Sequence, residues 1–154
     1  MKLFGQFNKP IKRELSIGAG SHKIVIPSKY EYNYDDNQNL LFYPAGEETI
    51  TIRVTVLSFD AHDENPNPGM EFIITSANEK GINYSTLNDK IAIYESSQSA
   101  VEQEENLILK FWNYGSGNSI IIISATILER YKDEPNVKTL LNEMGNIIES
   151  IKYS

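Results

Sequence analysis

The chain has 154 residues, 40% of them hydrophobic and 23% charged, which suits one globular domain and excludes a collagenous, disordered or membrane-spanning chain. Its 21 acidic and 14 basic residues leave a net charge of −7, a field that repels a phosphate backbone and argues against nucleic acid as a ligand. The absence of cysteine excludes disulfide frameworks, thiolate nucleophiles, thiolate zinc sites and iron–sulfur clusters, and two histidines leave few routes to a proton shuttle.

Residues 1–21 read as a lead-in, with a short strand from Lys12 to Ile17 broken by Gly18-Ala19-Gly20-Ser21; residues 22–154 read as a single α/β domain. Met1 to Lys9 holds no apolar run of signal-peptide length, and no stretch approaches the roughly 20 apolar residues of a membrane span, so a cytoplasmic chain with no membrane contact is expected. His22 to Ile26 reads as a strand stopped by Pro27. Tyr30, Tyr32 and Tyr34 alternate with polar residues, Asp35 to Asn39 is turn chemistry, and Leu40 to Tyr43 resumes as a strand, which together predict a hairpin. Glu48 to Phe59 is a long strand whose phase slips at Val56-Leu57, where a bulge is expected.

Asn67-Pro68 combines a capping side chain with proline at the first helical position, and Gly81 supplies a stop, so a helix is predicted over 68–80. Strands follow over Lys90 to Glu95, Ala100 to Glu104, Leu107 to Tyr114 and Ser119 to Leu128. In the last of these, Ile120 to Ile123 is apolar on successive residues, which requires cover on both faces. Val137, Leu140, Leu141, Met144, Ile147, Ile148 and Ile151 then recur at helical spacing behind Asp133-Glu134-Pro135. The expected fold class is α+β: a three-layer α/β/α sandwich with a mainly antiparallel central sheet of six or seven strands.

Few side chains carry chemistry in a diagnostic pattern. Asp60, His62, Asp63 and Glu64 cluster in one loop, but no second histidine-containing cluster completes a metal shell. Asp35-x-Asn37-x-Asn39 opens like a calcium loop and then fails it, with Leu40 at the sixth position and Gly46 at the twelfth. Gly18-Ala19-Gly20 and Gly115-Ser116-Gly117 continue into no phosphate-binding motif, and Ser116 has no hydrolase elbow around it. No metal, cofactor or catalytic residue is therefore expected. The candidate partner-binding residues are Tyr30, Tyr32, Tyr34, Asp35 and Asp36, a tyrosine-rich acidic edge, together with Asp60, His62, Asp63 and Glu64. The competing reading places the three tyrosine rings in the core. Phe111, Trp112 and Tyr114 offer the same two readings, Trp112 as an interface anchor or all three as core filling at the end of a strand, and core filling is the one expected.

The element order resembles the PsbP-like α/β/α sandwich from about His22 to Ile151. The resemblance is carried by Lys23-Ile24-Val25-Ile26-Pro27, the Asp35-Asp36 turn leading to Leu41-Phe42-Tyr43 and the Thr49 to Phe59 strand. It continues in Leu109-Lys110-Phe111-Trp112 before Gly115-Ser116-Gly117-Asn118, in Ser124-Ala125-Thr126-Ile127 and in the terminal helix. The chain departs from that pattern at Ser28-Lys29-Tyr30, where such chains often place a tryptophan. Small bacterial proteins of this kind include immunity proteins that neutralise toxins passed between cells. The resemblance thus implies a non-enzymatic module that binds a protein, here a basic toxin domain. The alternatives are a small-molecule binder or carboxylate-dependent hydrolase, and an accessory subunit of a larger complex.

Overall fold

The computed structural model describes residues 11–46, 48–60 and 66–154. Strands β1 (Lys12–Ile17), β2 (His22–Pro27), β3 (Tyr30–Tyr34), β4 (Leu40–Pro44) and β5 (Ile50–Ser58) precede helix α1 (Pro68–Lys80). Strands β6 (Ser85–Leu87), β7 (Ile91–Glu102), β8 (Glu105–Ser116) and β9 (Ser119–Leu128), a 3-10 turn (Glu129–Tyr131), helix α2 (Pro135–Glu149) and strand β10 (Lys152–Tyr153) follow. Seven strands form one sheet in the order β3-β4-β5-β9-β8-β7-β6, and three form a second in the order β1-β2-β10. Every pairing is antiparallel. The α+β class and the seven-stranded antiparallel sheet agree with the sequence reading.

The layers follow from side-chain alternation. On β9, Ile121, Ile123, Ala125 and Ile127 enter the larger core with Leu140, Met144, Ile147 and Ile148 of α2 and Ile24 and Ile26 of β2. Ile120 and Ile122 point the other way, into a smaller core with Ile73 and Ala77 of α1 and Ala92 and Tyr94 of β7. The successive isoleucines are thus sheltered above and below, each face by a different layer. One layer is α1; the other combines α2 with the three-stranded sheet. Of the segment read as a lead-in, residues 1–10 lie outside the described residues, and Lys12 to Ile17 take part in that sheet: β1 pairs with β2 from Lys12↔Pro27 to Ile17↔His22, and Leu15 and Ile17 are buried.

The bulge expected near Val56-Leu57 does not form. β5 pairs with β9 without interruption from Ile50↔Ile127 to Ser58↔Ser119. Val56 keeps the inward phase, and the phase slip in the sequence is Leu57, which lies on the other face and is 50% exposed. The two strands expected over Lys90 to Glu95 and Ala100 to Glu104 are one continuous strand, β7. Two short strands, β6 and β10, add to those the periodicity predicts.

Helix α1 has the expected ends: the Asn67 side chain accepts from the Met70 N–H, Pro68 opens the helix, and Gly81 closes it in the left-handed region at φ 66°. Its first turn meets β8 with no side chain between. A Cβ on Gly69 would collide with the Ser119 carbonyl, and one on Gly115 would collide with the Gly69 carbonyl and the Ile73 side chain. The Gly69 N–H donates to the Gly117 carbonyl at 2.8 Å, completing a backbone-to-backbone seat. At the other end of the chain, the Tyr153 hydroxyl donates to the Ser116 carbonyl at 2.9 Å, so β10 ties the small sheet to the large one.

Candidate interaction surface at the β3 edge

Strand β3 is the margin of the seven-stranded sheet and pairs only with β4, so among the described residues its outer backbone edge has no neighbour. Alternation puts Tyr30, Tyr32 and Tyr34 on one face and Glu31 and Asn33 on the other. The three rings have different surroundings. Tyr30 is 4% exposed and donates its hydroxyl to Glu143 Oε1 of α2 at 3.0 Å, the same oxygen that accepts Lys29 Nζ at 2.6 Å. Burial, reinforced by the Glu143 carboxylate, pushes the Tyr30 phenol far above its ordinary value.

Tyr32 and Tyr34 are 38% and 39% exposed. Their rings meet edge-to-face at 6.3 Å, and the Arg13 guanidinium of β1 lies 5.1 Å from the Tyr32 centroid. The Tyr34 hydroxyl donates to the Ser16 carbonyl at 2.7 Å. β1 therefore props these two rings while leaving part of each in solvent.

Asp35 organises the turn that follows. Its Oδ1 accepts the N–H groups of Asn37 and Asn39 at 2.9 and 3.0 Å, and Oδ2 accepts Asn39 Nδ2 at 3.1 Å. The backbone bond from Asn39 leads the contacts that hold this carboxyl below its ordinary value. Asp36 is exposed beside it, and Asp60 is exposed two residues past the end of β5. His62, Asp63 and Glu64 lie outside the described residues. Of the candidate residues, the structure brings Tyr32, Tyr34 and Asp36 to one accessible edge, with Tyr30 and Asp35 serving beneath and beside it as supports.

Sequence reasoning did not find Arg13 or Glu143, since their pairing with the tyrosines depends on β1 and α2 closing over the inner face. Nor did it mark His22, which is 1% exposed, hydrogen-bonded through Nδ1 to Ser21 Oγ at 2.8 Å and stacked 4.3 Å from Tyr153. Its Nε2 has no hydrogen-bond partner among the described residues, and burial lowers its basicity. Trp112 and Tyr114 are buried on the inner face, as core filling requires, whereas Phe111 lies half-buried on the opposite face. Among the described residues no group of three or more histidine and carboxylate side chains could hold a metal ion. No helix there is long and apolar enough to cross a membrane.

No family model and no curated protein matches the sequence. Solved structures do match in shape. A protein of Bacteroides thetaiotaomicron superposes with a TM-score of 0.63 at 16% identity over 93% of this chain. This chain spans about half, 48%, of that protein's length. LpqN of Mycobacterium tuberculosis, a protein involved in cell envelope biogenesis, superposes with a TM-score of 0.51 at 11% identity, over 98% of this chain and 95% of its own. Cyanobacterial PsbP of Synechocystis sp. PCC 6803 aligns over 96% of this chain and 95% of its own at 10% identity, with a TM-score of 0.40 that carries no argument by itself. At these identities the likenesses speak to the fold, which is the α/β sandwich expected from the sequence.

Proposed function

We propose that this chain is a non-catalytic protein-binding module, and most concretely an immunity protein that neutralises a cognate toxin by covering it. The observation that supports this reading is the β3 edge: an open strand with two half-exposed tyrosines, flanked by the exposed carboxylates of Glu31 and Asp36. Tyrosine buries a large area at low conformational cost while keeping a hydroxyl for hydrogen bonding, and an unpaired strand edge offers a row of backbone donors and acceptors. The net charge of −7 suits a basic partner domain and would speed its approach.

The test is co-expression with the toxin encoded beside this chain's gene. Growth should be rescued, and the double variant Tyr32→Ala/Asp36→Lys should weaken rescue and slow association. Raising salt from low to about 0.5 M should cut the association rate on the order of tenfold, because the Debye length shrinks below the reach of the surface charges. Unchanged toxicity in the presence of the folded wild-type chain overturns the immunity reading. Full rescue by the double variant overturns the choice of edge.

A further inference from the structure

A groove of about 400 Å³ runs between α2 and the β7–β8 hairpin, on the inner face of the sheet, well within the size range of small-molecule sites. Its apolar wall is Trp112 of β8 with Leu141 of α2, backed by the buried Met144. The indole is fixed: it is 7% exposed, and its N–H donates to Glu95 Oε1, directly across the β7–β8 ladder, at 3.0 Å.

Two cations face this wall. Lys110 shares a strand face with Trp112 and is half-buried, and Lys138 enters from the first turns of α2. The four ion pairs among the described residues use Lys23, Lys29, Arg130 and Lys152, leaving both groove lysines out although the chain carries 21 acidic residues. Among the described residues Glu95 is the one carboxylate on the groove, and one of its oxygens already accepts the indole N–H. The local balance is thus positive on a negative protein.

The fourth feature is Gly145, which lies inside α2 and lines the groove. Glycine in a helix interior is less stable than alanine by roughly 1 kcal/mol and is usually explained by a tight neighbour. Here a Cβ would meet nothing within 4 Å. The missing side chain leaves open space where any larger residue would intrude.

We infer that this groove binds a free amphiphilic anion, with a carboxylate head between Lys110 and Lys138 and an aliphatic tail along Trp112 and Leu141. This site is separate from the β3 edge, and its test does not depend on a toxin.

Trp112 is the sole tryptophan, so its emission reads the groove directly. Titration of the whole chain with octanoate should give a saturable change in emission with a midpoint on the order of 1 mM, as expected for a ligand of this size. Neutral 1-octanol should bind at least about fivefold more weakly, and Lys110→Met should weaken octanoate by a similar factor, reflecting the lost charge-assisted contact. Gly145→Leu should abolish the response with a melting temperature equal to or above that of the wild type, which separates a filled groove from a damaged fold. Absence of any saturable change up to about 20 mM, by emission and by calorimetry, overturns the inference; so does equal binding of 1-octanol, or a Gly145→Leu protein that responds like the wild type.

Discussion

The β3–β4 and β7–β8 hairpins flank the same sheet, but the first is held by side chains and the second by its backbone ladder. β3–β4 joins five pairs and turns through residues that Asp35 gathers with three hydrogen bonds, while Tyr30, Tyr32 and Tyr34 each find a partner on α2 or β1. β7–β8 joins twelve pairs and turns through two residues, Gln103 and Glu104, both at positive φ (49° and 66°) without a glycine. Its outer strand is covered by β6 only along Ile91 to Ile93. From Ser96 to Val101 the open edge carries no charge and no proline, with Glu95 and Glu102 bracketing it as the guards against foreign strands. A short hairpin needs specific contacts to stay in register. A long one tolerates a strained tip and a bare edge, because many ladder bonds fix the same register.

This contrast can be tested by removing what holds each hairpin. The largest effect should come from Tyr30→Ala, which deletes a buried ring and strips Glu143 of its buried donor; a loss of about 3–5 kcal/mol in urea unfolding is expected. Tyr32→Ala, at a half-exposed ring two residues on, should lose less than about 1 kcal/mol. If both cost the same, the buried contact with α2 is not what holds the first hairpin, and that side of the contrast fails.

Asp35→Ala should come next and lower the urea midpoint, since two turn N–H groups lose their acceptor. Its pH dependence has a definite sign. The folded-state pKa lies below the ordinary aspartate value of 3.8, so the stabilisation is fully present above that pH and disappears as acid carries the carboxyl through its lower folded value. The stability difference between wild type and Asp35→Ala should therefore be constant at neutral pH and narrow only below 3.8. A difference that closes nearer pH 6 would point to another group.

The smallest effect belongs to the other hairpin. Glu104→Gly relieves a left-handed residue at φ 66° and should stabilise by about 0.5–1 kcal/mol in thermal or urea unfolding. A loss instead would mean that the Glu104 side chain holds the tip, making the two hairpins more alike than their contacts indicate.

Much of the architecture was legible because it rests on local rules. Asn67, Pro68 and Gly81 delimit α1 by their capping chemistry, and the stripe from Val137 to Ile148 marks α2 by its spacing. The doubly apolar Ile120–Ile123 run fixes β9 as a central strand. The failures share a physical cause. Ser96 to Ser99, which join the two expected strands into β7, are polar on both faces, so no alternation signals them, and only the ladder with β8 makes them strand. β10 is two residues long and exists because α2 delivers it against β2. At the candidate edge, alternation placed all three tyrosines on one side of β3, but their cover comes from Glu143 of α2 and from Arg13 and Ser16 of β1, which only the tertiary fold brings there. The groove beside Trp112 was invisible for a similar reason: its walls come from residues 95, 110–112 and 138–145, and only the register of β7 and the docking of α2 bring them together.

The seat of α1 on Gly69 and Gly115 also bears on how this protein can change over time. Isoleucines around it can be exchanged for valine or leucine with modest repacking, because oily volume is adjustable. A single methyl at either glycine has nowhere to go and would lift the whole helix from the layer beneath it. The position of that helix is therefore set by an absence of atoms, and drift in the surrounding sequence can proceed freely only while those two points stay bare.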